Sequence, residues 1–382
     1  MTLTNADTAE LIALRRDLHR FPDVSRDEGA TAARILAALG ALSPDSVVTG
    51  LGGHGVAAVF QGAAPGPTVM FRAELDGLPI PEEGDLPHRS TIAGKGHLCG
   101  HDGHMAVLMG LGRLLARRRP AAGRVVLMFQ PAEEDGSGAA AVMADPRFDG
   151  LRPDWAFAIH NLPGLPLGHA HLRPGMVNCA SQGLKITLSG KTAHASQPEA
   201  GRSPGPALAR LIPALAALGQ GGALGPDYRL VTVTHARLGE PAFGIAPGLA
   251  ELWVTLRSAG DAAMAALRAG AEALARAAAA AHGLTGAFET HDDFAASVNH
   301  PEAVARMQAA LGALDMPNEA GEPMRASEDF GRFGAAPTKS AMLFLGAGTA
   351  HPALHNPDYD FPDDLIAPGV RLFARIARDL LG

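Results

Sequence analysis

The sequence predicts an α/β domain into which a smaller α+β domain is inserted. Three observations carry this. Residues 6–160 alternate helix-spaced segments with short apolar runs, the pattern of a layer of strands and helices. Beyond about Pro174 the strands alternate apolar and polar residues, in the order β-α-β-β-α-β of a split, ferredoxin-like unit. From about Ser297 the chain returns to helix, strand and helix. The expected boundaries are 1–176 with 295–382 for the outer domain and 177–294 for the insert.

Each element has its own reason. Leu, Ile and Ala recur at helical spacing over 6–21 and 27–39. Residues 47–49, 56–60 and 68–72 are apolar or β-branched runs between Gly and Pro, so they read as strands. A helix is expected over 103–118 and a short one over 135–144. Residues 124–130 are almost continuously apolar, as in a strand buried on both faces, and 155–160 repeat this. In the insert, 184–189, 230–238 and 251–256 alternate as half-exposed strands do. Helices fill 203–218 and the Ala-rich stretch 261–282, and 287–290 adds a strand. A strand at 341–345 and a helix at 363–381 complete the outer domain.

Composition excludes several function classes. Asp and Glu outnumber Lys and Arg by 39 to 32, which argues against a nucleic-acid binder, since that needs a basic patch. No apolar run is long enough to span a membrane, and residues 1–16 lack the apolar segment of a secretory leader. The 2 cysteines cannot build a disulfide framework and suit a reducing compartment, so a cytoplasmic location is expected. Against these, 16 histidines stand beside only 2 Tyr and 2 Trp. Imidazole is the commonest transition-metal ligand and acid–base group, so their placement matters.

Three motif matches fail on physical grounds. Gly50-Leu51-Gly52-Gly53-His54-Gly55 has dinucleotide-fingerprint spacing, but it leads into a strand rather than a helix, so a hairpin turn is expected. Gly201-Arg202-Ser203-Pro204-Gly205 resembles a nucleophile elbow, which needs the N–H after Ser that Pro204 lacks. Gly190-Lys191-Thr192 ends like a phosphate loop, but Lys185 stands where its first Gly must be.

Four clusters survive. His97-Leu98-Cys99-Gly100-His101-Asp102-Gly103-His104 lies at a helix start, Glu133-Glu134-Asp135 follows the strand 124–130, His160-Asn161 ends a strand, and His355-Asn356 lies in a late loop. Strand ends of an open α/β sheet form its ligand crevice, so these distant residues can converge. Cys, His and carboxylate together suit transition metals. Two ions about 3.5–4 Å apart can acidify a water, and a neighbouring Glu can take its proton. Taken singly, each cluster has a bland reading: a buried thiol as a small hydrophobe, a strand-end His as a satisfied polar residue, a Glu pair as loop charge. Their joint placement is what favours metal. His19, His88, His282 and His291 are expected to be structural or on the surface.

At this point the chain resembles the M20 metallopeptidase and amidohydrolase family, in its aminoacylase-like branch. The resemblance rests on Arg72-Ala73-Glu74-Leu75-Asp76-Gly77-Leu78-Pro79, Cys99-Gly100-His101-Asp102-Gly103-His104, Phe129-Gln130-Pro131-Ala132-Glu133-Glu134, His160-Asn161, Gly190-Lys191-Thr192-Ala193-His194, Ser327-Glu328-Asp329-Phe330 and Leu354-His355-Asn356-Pro357. It implies a discontinuous zinc-peptidase-like α/β catalytic domain with the insert as lid and dimerisation domain. It implies Cys99, His101, Glu134, His160 and His355 as ligands of two divalent ions, Zn²⁺ or Mn²⁺. Glu133 is the implied general base, and Asp76 orients a ligand. His194 reaches a catalytic site to polarise the scissile carbonyl, often that of the other subunit of a homodimer, and Arg257 binds a substrate carboxylate.

The implied reaction is hydrolysis of an N-acyl amino acid or similar small amide by a metal-activated water. A dipeptidase, carboxypeptidase or aromatic amide or amine hydrolase on the same site is the second reading, and a catalytically idle scaffold that binds metal or small molecules the third. Two departures stand out. Glu74 occupies a position where the branch usually has Asp, and Gly244 stands where relatives usually carry Asn.

Overall fold

A computed structural model describes residues 2–382. The chain divides into two compact units, Met1–Val177 with Val298–Glu322 and Asp329–Gly382, and Asn178–Ser297 with Pro323–Glu328. The short segment Pro323–Glu328 thus groups with the insert, although it lies within the expected outer stretch 295–382.

In chain order, the larger unit opens with α1 (Asn5–Arg20), α2 (Gly29–Gly40), β1 (Ser46–Leu51), β2 (Gly55–Gln61) and β3 (Ala64–Glu74). It continues with α3 (His101–Arg117), β4 (Ala122–Gln130), α4 (Gly138–Ala144), β5 (Trp155–Pro163) and β6 (Ala170–His171). The smaller unit is β7 (Ala180–Ser189), α5 (Gly205–Ala216), β8 (Arg229–Leu238), β9 (Leu249–Ser258), α6 (Asp261–Ala281) and β10 (Thr285–Phe294). The larger unit then resumes with α7 (Pro301–Ala313), β11 (Asn318–Glu319), β12 (Lys339–Gly348) and α8 (Ile366–Leu381).

The larger unit is built on an eight-stranded sheet in the order β1-β2-β4-β3-β5-β12-β6-β11. Its centre, β4-β3-β5-β12, is parallel, so four carboxyl ends open on one edge. The apolar run Val125–Phe129 is fully buried, as its composition requires. Gly50 and Gly52 take positive φ of 71° and 60° and turn β1 into β2, the hairpin expected from the failed fingerprint. α3 begins at His101, two residues before the expected start, because Gly100 caps it in the left-handed region at φ 91°. A side chain at Gly100 would also run into Asn161, and one at Gly103 into the Phe361 ring. These two glycines let the helix start sit against the strand ends.

The smaller unit has strand order β8-β9-β7-β10, entirely antiparallel. Leu184, Ile186 and Leu188 on β7 and Leu252, Val254 and Leu256 on β9 face a core shared with α5 and α6. On the opposite face Lys185 reaches Glu289 and Glu251 at 3.1 and 3.6 Å. The period-2 pattern is therefore a sheet with one covered and one polar face. Among the described residues no helix is long and apolar enough to cross a membrane.

Candidate metal centre

Four carboxyl-end connections of the sheet and the start of α3 converge in the larger unit. β3 delivers Glu74 and then Asp76, β4 delivers Glu133 and Glu134, β5 carries His160 and Asn161, and the loop after β12 brings His355. Ala132 takes φ 49° and His355 φ 67°, which turns both loops sharply at the site. Cys99 Sγ lies 3.5 Å from His160 Nε2. His101 Nε2 lies 3.8 Å from Glu134 Oε1 and 4.0 Å from Glu133 Oε2. His355 Nε2 lies 3.6 Å from the other Glu134 oxygen. The donor atoms of Cys99, His101 and His160 lie within 4.8 Å of one another, as do those of Cys99, Glu134 and His355. All five expected ligands come together, with Glu133 beside them.

The rings are turned for coordination. His101 Nδ1 donates to the Asp76 backbone carbonyl at 2.8 Å, and His160 Nδ1 to the Asn161 carbonyl at 2.8 Å. A carbonyl only accepts, so each Nδ1 carries a proton and Nε2 is the nitrogen each ring turns to the site. His101 Nε2 is buried without a hydrogen-bond partner. A buried, unsatisfied nitrogen costs free energy unless something else takes its lone pair. A cation satisfies it, and this donor set fits one.

Electrostatics divides the ligands into two pairs. Burial, and then the Glu134 carboxylate, push the Cys99 thiol well above its ordinary value. Burial and the neighbouring His104 lower His160 to about 3, so its ring is neutral. Burial also lowers His355. Burial opposes charge on His101, but the Glu74 carboxylate and Cys99 raise it well above its ordinary value. His160 and His355 are thus neutral and ready, while an ion must displace a proton from His101 and from the Cys99 thiol.

A second layer holds the first. Asp76 is fully buried; burial opposes its charge, but hydrogen bonding and charge from His101, with the Glu134 N–H and the Ser25 hydroxyl, together lower its pKa. Its Oδ2 accepts from the Glu134 N–H at 3.0 Å and from Ser25 Oγ at 2.8 Å. Asp76 therefore positions His101 through its carbonyl and the backbone of Glu134 through its carboxylate. Glu74 and His104 are functional neighbours without an assigned role in the sequence reading. His104 bridges Glu74 Oε2 at 2.7 Å and Asn161 Oδ1 at 2.6 Å, and Asn161 in turn donates to the Tyr359 hydroxyl at 2.5 Å. With both nitrogens engaged, His104 supports the site rather than binding metal. The signal for it was the spacing His101 to His104, which puts both on one helix face. Arg72 pairs with Glu74 and reaches Asp329 at 2.8 Å, and Asp329 also accepts from the Ala139 N–H at 2.8 Å.

Asp102 points elsewhere. It accepts from Arg15 at 3.2 Å and His19 at 2.9 Å, all fully buried. His88 joins this group through Asp360 at 3.1 Å. His19 and His88 are thus structural.

His194 and Arg257 belong to the smaller unit. His194 is exposed, and its Nδ1 accepts from the Ser196 N–H at 3.2 Å and the Ser196 hydroxyl at 2.7 Å. Its proton therefore sits on Nε2, a free outward donor. Arg257 Nη1 donates to the Arg325 carbonyl at 2.8 Å and meets Ser327 Oγ at 3.0 Å. A side chain at Gly244 would meet nothing within 4 Å, so no crowding explains the missing Asn.

A model of peptidase family M20/M25/M40 matches residues 70–379. The chain belongs to this family. YhaA of Bacillus subtilis strain 168, designated an amidohydrolase, is 29% identical over 377 residues, covering 96% of this chain and 94% of YhaA. The N-acetyl-L-cysteine deacetylase of the same organism is 37% identical over 54% of this chain and 49% of its own length. A solved structure from methicillin-resistant Staphylococcus aureus, described as an aminohydrolase, superposes with TM-score 0.88 at 27% identity, covering 99% of this chain and 97% of that one. Bacillus subtilis YXEP, described as a dinuclear metal binding peptidase of the M20 family, gives 0.82 at 26% identity over 99% of both chains. The M20 assignment accounts for the mixed sheet with its inserted antiparallel unit. It also makes the cluster at the strand ends the place to look for hydrolytic chemistry.

Proposed function

We propose that the chain is a deacylase of N-acyl amino acids, hydrolysing the amide at a dinuclear metal centre in its larger unit. One observation supports this most: five donors converge, with His101 and His160 each held at Nδ1 by a backbone carbonyl so that Nε2 turns to the site. The N-acetyl-L-cysteine and N-acetyldiaminopimelate deacetylases among its relatives support the substrate class. Cys99, His101, Glu134, His160 and His355 would hold two divalent ions, Zn²⁺ or Mn²⁺, with the thiol favouring Zn²⁺. When bound, the ions supply Lewis-acid polarisation of the amide carbonyl and a more acidic water.

The chain's own residues do the rest. Glu133 takes the proton of the attacking water and delivers it to the amine nitrogen as the C–N bond breaks. His194 offers its Nε2 proton to the carbonyl oxygen, where negative charge develops. The Arg257 guanidinium receives the amino-acid carboxylate. A homodimer through the insert fits the edge position of β8 and the exposed Leu238, Phe243, Ile245 and Trp253. A cytoplasmic location fits two free, buried cysteines.

The test is turnover of N-acetyl amino acids and dipeptides by protein reconstituted with Zn²⁺ or Mn²⁺, read as released amine. Preference for the N-acetyl compounds is expected. Turnover of dipeptides alone would transfer the site to a peptidase, and no turnover of either would leave a scaffold.

A further inference from the structure

A second donor cluster lies at the far edge of the large sheet. β6 and β11 are only two residues long, and they pair in parallel with Ala170 opposite Asn318 and His171 opposite Glu319. His169 and His171 are two residues apart, the spacing that places side chains on one face of an extended chain. Their rings meet edge-on with centroids 5.7 Å apart. Glu319, across the ladder from His171, brings a carboxylate oxygen to 2.7 Å from His171 Nε2. That contact lacks hydrogen-bond geometry, and His171 Nε2 is inaccessible to solvent with no hydrogen-bond partner. One ligand atom from each of the three residues lies within 4.8 Å of the others.

We propose that His169, His171 and Glu319 form a separate site for a borderline divalent transition ion, of which Zn²⁺ is the type. Two imidazoles and a carboxylate leave one tetrahedral position open to water. The absence of a thiolate and the presence of two imidazoles select Zn²⁺, Ni²⁺ or Cu²⁺ over Mg²⁺ or Ca²⁺. The buried His171 Nε2 and the Glu319 oxygen, already together but outside hydrogen-bond geometry, are two donor atoms that a cation can take. None of the three residues belongs to the cluster around Cys99, so the site stands apart from the hydrolytic centre. The next charged group along the chain, Arg173, is committed to Glu322 at 3.8 Å and the Gly321 carbonyl at 3.4 Å. Bound there, an ion would cross-link the two shortest strands of the sheet to each other.

The test is metal stoichiometry on the full chain. Chelator-stripped protein is dialysed against micromolar free Zn²⁺, and bound metal is counted for wild type, His169→Ala/His171→Ala, and the milder Glu319→Gln. The double variant is expected to hold one ion fewer per chain and to keep its circular dichroism. The ¹⁵N shifts of the His169 and His171 rings should move on Zn²⁺ addition to wild type. A Cys99→Ser/His160→Ala protein should retain this ion, which separates the result from the fate of the hydrolytic centre. Equal metal content in wild type and the double variant, unmoved ring shifts, or occupancy only at millimolar Zn²⁺ would each overturn the site.

Discussion

The two units carry their chemistry-bearing residues in opposite ways. In the larger unit, His101 and His160 each have Nδ1 fixed by a backbone carbonyl, and Asp76 and Asn161 are buried beside them. In the smaller unit, His194 is exposed and its ring meets Ser196 two residues on. The first arrangement is preorganised: its geometry is set before a ligand arrives. The second is a donor on a surface, whose contribution depends on where that surface goes. Donors of the first kind create the reaction site, and a donor of the second kind can discriminate between ground and transition state.

Substitutions can sharpen that contrast. The largest effect is expected from Glu133→Gln. The amide keeps the shape but accepts no proton, so kcat should fall by roughly 10²–10⁴, the usual worth of general base catalysis, with metal content unchanged. Metal analysis beside steady-state kinetics checks this. Loss of metal together with activity would mean that Glu133 binds and Glu134 is the base.

Legibility in the sequence follows the same divide. Cys99, His101, Glu133, Glu134 and His160 could be picked out because each sits where a strand ends or a helix begins, and such positions face one crevice. The apolar run 124–130 and the period-2 strands of the insert showed the sheets for an equally direct reason: burial on two faces or on one. What was hidden depended on side chains meeting across elements. Glu74 looked like a departure, yet it is paired with Arg72 and His104 inside the core. The strands β6 and β11, two residues each, are too short for any periodicity to show. The start of α3 was misplaced because the glycine at position 100 caps the helix, while Gly is usually a mark of helix ends.

The next effect tests the surface donor. His194→Ala should keep fold and metal content and lower kcat by about 10²–10³, with a smaller change in KM, as removal of one oxyanion donor does. A wild-type rate would reduce the insert to a lid or a dimer arm. A smaller effect tests the rigidity of the other unit. Gly103→Ala puts a methyl into the Phe361 ring. It should destabilise by about 1–3 kcal/mol, as overpacking does, seen as a lower Tm. If Tm is unchanged, the start of α3 yields, and the site is less preorganised than its hydrogen bonds indicate.

The last effect acts on stability alone and concerns the buried group on the far side of that helix start. Burial opposes a charged His19, but Asp102 at 2.9 Å and Glu82 at 3.3 Å override it and raise its pKa to about 10. Arg15, beside the same Asp102, and the neighbouring rings of His88 and His97 work against the charge, and Asp360 at 3.8 Å works for it. In the unfolded chain a histidine titrates near ~6.5. The folded value is the higher one, so the protonated ring stabilises the fold in full below that pH. The contribution drains away as pH climbs through about 10. Between the two values the folded state holds one extra proton, and stability falls by about 1.4 kcal/mol per pH unit. His19→Gln removes this term. The gap in unfolding free energy between wild type and variant, measured in urea, should therefore narrow steadily from pH 7 to pH 9. A gap that stays constant over that range would mean His19 is neutral in the fold. Asp102 would then be held by Arg15 alone, and the helix start that carries His101 would rest on one cation instead of two.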